Sequence, residues 1–484
     1  MRGKRDDKEF LENGDWLGSR RKFFAGFTQL YPTASFALMK IAIHWFRCDL
    51  RLSDNVALHA AMEASKVVVP IFIFDPKILK APEASAHQVA FMLECLRSLE
   101  KNIEVAGGKL IFRHGPVLEE MRAVFKETGA HALYFNRDYE PYARERDGAV
   151  EKLARSLGME IHSHKDSVIH EAHEVLKADG SPYGVFTPYS RAWRAVGKLR
   201  VVPAVKFSRP TRWKDPTGLP LPTAEELGFS CGITLPPAGE RAARDRLRKF
   251  AATDLLTYAK GRDFPACDAT SRLSPHLRLG TLSPRTMLAA AEKAGSDHPA
   301  AKASAEIFIN ELIWRDFYRQ ILWHHPHVAT GCYRPQYDKL QWENNERLFA
   351  AWCEGRTGYP LVDAGMRQLN TTGWMHNRVR MVVATFLTKD LLISWQWGER
   401  YFMQKLIDAD LASNNGGWQW SAGTGTDAQP WFRIFNPSSQ AQKFDPEGHY
   451  IRQFVPEADT LGYPPPVVDH ARQRVKTLAF YRGI

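Results

Sequence analysis

Two short stretches hold residues that could do chemistry together. The first, Gly373 to Met381, reads G-W-M-H-N-R-V-R-M. Trp374, Asn377, Arg378 and Met381 follow i, i+3, i+4 and i+7, which predicts one helix face with an indole, an amide, a guanidinium and a thioether. That is an unusual face to bury, flat and apolar but with polar tips aimed together. The second stretch, Ile407 to Trp420, reads I-D-A-D-L-A-S-N-N-G-G-W-Q-W. It sets two carboxylates, three amides and two indoles in a short span interrupted by Gly416-Gly417. Each Gly costs a helix about 1 kcal/mol against Ala, so a plain core helix is not expected there.

A third chemistry-bearing segment is T-S-R-L-S, Thr270 to Ser274, whose hydroxyls and backbone amides could cradle a phosphate. Alone it is a weak signal, because Thr-Ser and Ser-Pro also simply begin helices. A fourth is F-I-N-E-L-I-W-R-D-F-Y-R, Phe308 to Arg319, where Glu311, Trp314, Arg315 and Tyr318 share a helix face. The simpler reading pairs Glu311 with Arg315 on the surface. It leaves Trp314 and Tyr318 beside them unexplained.

The elements that must position these residues fall into two textures. From Ile41 the chain alternates apolar runs with helical stretches. Ile41–Phe46, Val67–Phe74, Lys109–Arg113, His131–Asn136 and Met159–His162 read as strands, with helices over Val89–Ala106 and Tyr142–Leu157. Continuous apolar runs separated by helices imply a doubly wound parallel sheet covered on both faces, an α/β domain over 41–165. Residues 166–239 are rich in Pro and read as a connector packed on one domain. From Glu240 the texture is helical, with amphipathic stretches at Glu240–Ala252, Pro284–Ala294, Ala301–His325, Leu361–Leu369 and Asn377–Leu392. Residues 240–484 are therefore expected to form an all-helical domain. Residues 1–40 read as an extension whose mixed acids and bases argue against a transit peptide, and Met39 is a candidate true start.

Bulk properties narrow the class. The chain has 484 residues, a formal charge of +11 and a pI near 9.3, which favours a polyanionic partner, nucleic acid first. A basic solvated surface explains the charge equally well on its own. The six cysteines show no C-x-x-C pair and no metal or cluster spacing, so a reducing compartment is expected. No apolar run approaches the ~20 residues of a membrane span. H-E-A-H at 170–173 has the wrong spacing for a zinc helix, and G-T-G-T-D at 423–427 follows no strand, so neither carries weight. In W-F-R-C-D-L-R-L-S-D-N, Trp45 to Asn55, Asp49 and Arg51 are expected to pair and cap the next helix.

At W-F-R-C-D-L-R, T-S-R-L-S and the two clusters first described, the chain resembles the photolyase/cryptochrome flavoproteins, and among them the class I cyclobutane pyrimidine dimer photolyases. The resemblance extends from about Ile41 to the C-terminus. It implies a light-driven lyase in which reduced FAD passes an electron to a pyrimidine dimer flipped out of UV-damaged DNA. It implies flavin contacts at Tyr258, Thr270, Ser271, Arg272, Leu273, Ser274, Arg380, Asp408, Asp410 and Asn414, with Arg380 paired to Asp408 and Asn414 facing flavin N5. It implies a dimer pocket of Glu311, Trp314, Asn377, Met381 and Trp420, with Arg378 on a phosphate. Trp418, Trp395 and Trp342 align with the family's electron-transfer chain to the surface, with Trp397 an extra indole nearby.

Some departures sharpen the reading. Asn377 and Met381 stand where (6-4) photolyases carry histidines, which disfavours that lesion. Folate-binding members carry Asn-Glu where this chain has Tyr142-Ala143, so a second, antenna chromophore of deazaflavin type is expected over methenyltetrahydrofolate, with Arg137 and Asp138 as candidate contacts. A cryptochrome-type blue-light receptor is the alternative from a different class. A monomeric, cytoplasmic protein that joins the nucleoid on DNA completes the expectation.

Overall fold

Every residue of Val67–Phe74 is buried, the signature of a central strand covered on both faces. A computed structural model describes residues 40–211 and 213–483, so residues 1–39 of the extension read over 1–40 lie outside them. Five strands, β1 (Ile41–Phe46), β2 (Val67–Phe74), β3 (Ile111–His114), β4 (Ala132–Asn136) and β5 (Glu160–His164), form one sheet in the order β3-β2-β1-β4-β5. All pairings are parallel. The order reverses between β1 and β4, which opens a crevice at their carboxyl ends.

The segment after β5 is less bare than its prolines suggest. It contains helix α1 (Phe186–Ala195), with Tyr189 and Trp193 buried. Further on, Leu219 bridges antiparallel to Phe112, donating its amide at 2.9 Å, and so covers the edge strand β3. Asp49 and Arg51 do not pair with each other. The Arg51 guanidinium is buried and reaches Asp166 beyond β5 at 2.6 Å. Asp49 accepts instead from the Arg47 amide, Asn55 and Asn136. Asn55, whose side chain accepts from Leu58 N, is the helix cap.

The remainder is helical. Four helices frame the site: α2 (Lys302–His324), α3 (Asn377–Thr385), α4 (Trp395–Lys405) and α5 (Leu411–Ala422). The stretch expected as one helix over Asn377–Leu392 is divided. After α3 come a π-helical turn, Phe386–Asp390, and then Leu392 in the left-handed region. Helix α5, in contrast, runs unbroken through Gly416 and Gly417. A Cβ at Gly416 would collide with the Tyr318 ring of α2, whereas one at Gly417 would meet nothing. Gly416 is thus a close-approach position between two helices, and its helix-propensity cost is offset by packing. Among the described residues no helix is long and apolar enough to cross a membrane.

Candidate functional site

The two clusters, Gly373 to Met381 and Ile407 to Trp420, meet at their first residues. Gly373, left-handed at φ 65°, ends the helix Pro360–Thr372, and its carbonyl accepts from Ile407 N at 2.8 Å. A side chain at Gly373 would run into Ile407. From this junction one strand of the site leads through Trp374–His376 into α3 and the other through Asp408–Asp410 into α5. Trp374 precedes α3 and is not on its face, because the helix begins only after the His376 cap. Its indole lies instead under the Arg272 guanidinium, 4.7 Å from the ring centroid. That contact joins T-S-R-L-S to the first cluster.

Arg380 donates to both oxygens of buried Asp408, at 3.1 and 2.9 Å, and to the Met375 carbonyl at 2.8 Å. Asn414 gives its amide N–H to the Glu399 carbonyl at 3.0 Å, which fixes the carboxamide and leaves Oδ1 with no protein donor among the described residues. Arg246 ties down the Thr270 and Ser271 carbonyls, at 2.7 and 2.9 Å. Arg272 takes the left-handed φ of 51°, uncommon for a side chain of its kind, and pairs with Asp268 at 2.7 Å. Tyr258 is buried against Phe250 and Phe308, and burial raises its phenol pKa.

Two residues expected at the cofactor are used otherwise. Leu273 is fully buried in the core with Phe250 and Phe308, so only its backbone faces outward from that packing. The Asp410 carboxylate caps α5 through Ser413 N at 3.0 Å and takes Arg319 at 2.7 Å. Burial raises its pKa, but Arg319, Arg278 and Arg315 more than reverse this and hold it far below the carboxylate range. This places Asp410 among buried arginines at the edge of the sheet's crevice.

On α2, Glu311 pairs with Arg262 at 2.7 Å, not with Arg315. Arg315 is drawn inward to the Ser167 carbonyl at 2.5 Å. Arg262 is a residue sequence reasoning passed over; its only signal was the i+4 spacing from Tyr258, over whose ring it lies at 5.4 Å. Trp314 is half-buried, with one face stacked on Phe186 of α1 at 3.7 Å and 1°. Phe186 is another missed residue, hidden in what read as loop. On α3, Asn377 is exposed and Met381 half-buried. Arg378 donates to Asp263 at 2.6 Å, lies over Phe444 at 4.4 Å and has its Nη1 3.8 Å from the Met381 sulfur. Trp420 is half-buried one turn beyond Gly416, on the side of α5 that approaches α2.

The three further indoles run from inside to outside. Trp418 is buried, packed on Gly398 one turn from Trp395. Trp395 is also buried at the start of α4. Trp342 is half-exposed, tied near that start by Glu343 N to Leu392 O at 2.9 Å and by Ser394 N to Asn344 at 2.8 Å. Trp397 faces Phe349 instead, at 5.1 Å.

At the sheet, Arg137 and Asp138 line the crevice between β1 and β4, together with Arg47, Asp49, Arg278 and Arg319. Back in the helical region, buried donors stay open where Arg272, Arg378, Arg380 and Asp408 converge. His376 Nε2 and Arg378 Nε have no hydrogen-bond partner among the described residues. The Arg380–Asp408 pair, the Arg272–Asp268 pair and the immobilised Asn414 amide with its open Oδ1 fit a nucleotide with a flat, polar-edged ring such as flavin.

Comparison with known proteins agrees. Residues 42–209 match the family described as DNA photolyase, and residues 308–462 match the FAD binding domain of DNA photolyase. A deoxyribodipyrimidine photo-lyase from Synechococcus is 40% identical over 473 residues, covering 91% of this chain and 96% of its own. Among solved structures, a class III photolyase from Agrobacterium tumefaciens superposes with a TM-score of 0.85 at 37% identity, over 94% of this chain and 99% of that one. A Synechocystis cryptochrome gives 0.83 at 27% identity, over 91% and 99%. The chain belongs to the photolyase/cryptochrome family and is an FAD-domain enzyme of the lyase class.

Proposed function

We propose that this enzyme splits cyclobutane pyrimidine dimers in UV-damaged DNA under light. The observation that carries the reading is the pair on the open side of α3. Asn377 and Met381 are an amide and a thioether, and neither can pass a proton. Opening a cyclobutane ring needs no proton donor there, whereas the (6-4) lesion does. Reduced FAD, when bound, supplies one electron to the dimer and takes it back.

The chain's own residues do the rest in this reading. Trp314 and Trp420 offer stacking surfaces for the extruded dimer, each such contact worth about 1–3 kcal/mol. Met381 supplies a flexible apolar rim. Glu311, half-exposed and held by Arg262, is within reach of solvent and of a guest base, and hydrogen-bonds the pyrimidine edge. Arg378 and Arg262 carry charge to the mouth for backbone phosphates. Asn414 presents its open Oδ1 to the flavin, with Arg380 and Asp408 at the ring edge and Tyr258, Thr270, Ser271, Arg272 and Ser274 around the diphosphate and ribityl chain. Trp418, Trp395 and Trp342 form the route that recharges the cofactor. Extrusion costs a few kcal/mol, least for a distorted lesion.

The crevice between β1 and β4 is the place we assign to an antenna chromophore of deazaflavin type, because Tyr142-Ala143 replaces the folate pair and Arg137 and Asp138 line the wall. The target is DNA in the cytoplasm, met as a monomer over residues 41–484, with the sheet unit ending near 165 and the catalytic helices beginning near 240. The +11 charge predicts affinity that falls with salt by ~0.9 log units per phosphate neutralised per decade.

The test is repair of an oligonucleotide bearing one defined dimer, under near-UV light, by protein with chemically reduced flavin. Restored thymines on the cyclobutane substrate and none on the (6-4) substrate are expected. Flavin photochemistry without repair of either would instead favour the cryptochrome reading, to which the Synechocystis neighbour already gives weight.

A further inference from the structure

A second cavity, which shares no lining residue with the crevice of the sheet, opens beside the connector. It holds about 450 Å³, within the range that takes a small organic guest. Its walls are Lys177, Tyr183, Val185 and Pro188 of the connector, with His325 and Tyr333 from the segment after α2. The connector wall is fixed from behind. Gln320 of α2 donates to the Tyr183 carbonyl at 2.7 Å, and Thr426 donates to the Gly184 carbonyl at 2.8 Å. The Phe186 amide donates to Asp427 at 3.1 Å. A Cβ at Gly184 would stand 2.9 Å from the Tyr333 hydroxyl, so the glycine lets the two walls close up.

The polar tips of the cavity are open. Among the described residues, the Tyr183 and Tyr333 hydroxyls, both ring nitrogens of His325 and the Lys177 ammonium make no hydrogen bond. Lys177 is exposed and the three rings are half-buried, so a guest can reach them. Burial lowers the His325 pKa, helped by His327 and His324, and the neutral ring offers one donor and one acceptor. The His325 and Tyr333 rings meet edge to face at 5.1 Å. Two more exposed cations lie close in the chain, Arg191 one turn along α1 from Pro188 and Arg334 next to Tyr333. Neither has an acidic partner among the described residues. Aromatic and prolyl walls, open polar tips and unpaired cations suit a nucleobase and its phosphate.

The position of the cavity says which base. Phe186 lies on one face of Trp314, whose other face is left for the lesion, while its neighbour Val185 lines the cavity. One stretch of connector therefore backs both sites. Extruding a dimer leaves the bases opposite it without partners, whereas the flanking pairs stay in the duplex.

We propose that this cavity receives a base of the strand opposite the lesion, stacked against Tyr333 and His325 with its phosphate towards Lys177. The inference rests on the dimer-repair reading. It assigns the cavity to recognition of the damaged duplex, held open from its second strand, and not to ring opening.

The test measures binding in the dark to three oligonucleotides that carry one defined dimer: a full duplex, a duplex with abasic sites opposite the dimer, and the single strand. Each is titrated with wild-type holoenzyme, with Tyr333→Ala and with His325→Ala, the last a safeguard should the first not fold. Lost pairing eases extrusion for every protein alike, so the ratio of full-duplex to abasic affinity is compared between proteins. That ratio is expected to be about tenfold higher in the wild type than in the variants, the size of one stacking contact. Affinity for the single strand, and its repair, are expected to be the same in all three. Equal ratios in wild type and variants, or variants weakened as much on the single strand as on the full duplex, overturn the proposal and leave the repair reading intact. A wild type that binds dimer DNA no better than undamaged DNA overturns the repair reading and the proposal with it.

Discussion

Two buried polar clusters in this protein contrast sharply. In the first, Arg51 and Arg285 lie with Asp54 and Asp166 where the sheet, the connector and the helix Pro284–Asp297 meet. All three nitrogens of each guanidinium are bonded, to the carboxylates and to the Ser53, Gly280, Asp54 and Asp166 carbonyls. In the second, around His376, Arg378 and Asn414, donors and acceptors stand open. Burial is similar for Arg51 and His376, yet the first cluster is nearly closed on itself and the second is not. A closed cluster spends its bonds on holding the parts together. An open one holds them for something else.

The contrast predicts that effects on stability should fall, and effects on function rise, in passing from the first cluster to the second. Arg285→Met takes the guanidinium from buried Asp54 and one of two from Asp166, and should cost about 3–5 kcal/mol in urea unfolding, with flavin content per folded molecule unchanged. A loss under about 1 kcal/mol would erase the distinction. At the helix crossing that backs the site, Gly416→Ala should cost about 1–3 kcal/mol by driving a methyl into Tyr318. Gly417→Ala, with open space around it, should gain about 0.5–1 kcal/mol. Like effects at the two would mean the helices do not touch as described.

Within the open cluster's neighbourhood, Glu311→Ala removes a half-exposed ion pair, so stability should shift by under about 1 kcal/mol. The repair quantum yield should nevertheless fall with flavin retained. An unchanged yield under saturating light removes Glu311 from the chemistry. Smallest of all for folding is Trp342→Phe, expected within about 1 kcal/mol. Photoreduction of oxidised flavin should stop, while repair by chemically reduced enzyme continues. Persistent photoreduction would point to another terminal donor.

Much of the fold was legible because its signals are local. The apolar runs Ile41–Phe46 and Val67–Phe74 match β1 and β2 to the residue, since a strand buried on both faces has nothing polar to blur its ends. The helix Phe186–Ala195 was missed because it lies in a proline-rich segment and its partners, Trp314, Asp316 and Phe317, lie far along the chain. Gly416-Gly417 misled because propensity is local and the Tyr318 contact is not. Trp374 was placed on α3 by a correct period, but a left-handed Gly373 and a histidine cap start the helix later. Arg51 and Glu311 found partners across the fold, Asp166 and Arg262, in place of sequence neighbours of opposite charge. Charge spacing along a chain identifies who is available to pair, and only packing chooses.

The Phe186–Trp314 stack has a consequence for what the enzyme can admit. With one side of the indole already occupied at van der Waals distance, Trp314 is a fixed jamb and not a swinging door. Phe186 cannot yield easily, because its amide is tied to Asp427 at 3.1 Å on the loop that follows α5. The opening therefore has a set width, gauged by a phenyl ring from the connector. In the proposed repair reaction a lesion finds only the free face of Trp314, and the connector, through Phe186, helps to set that wall.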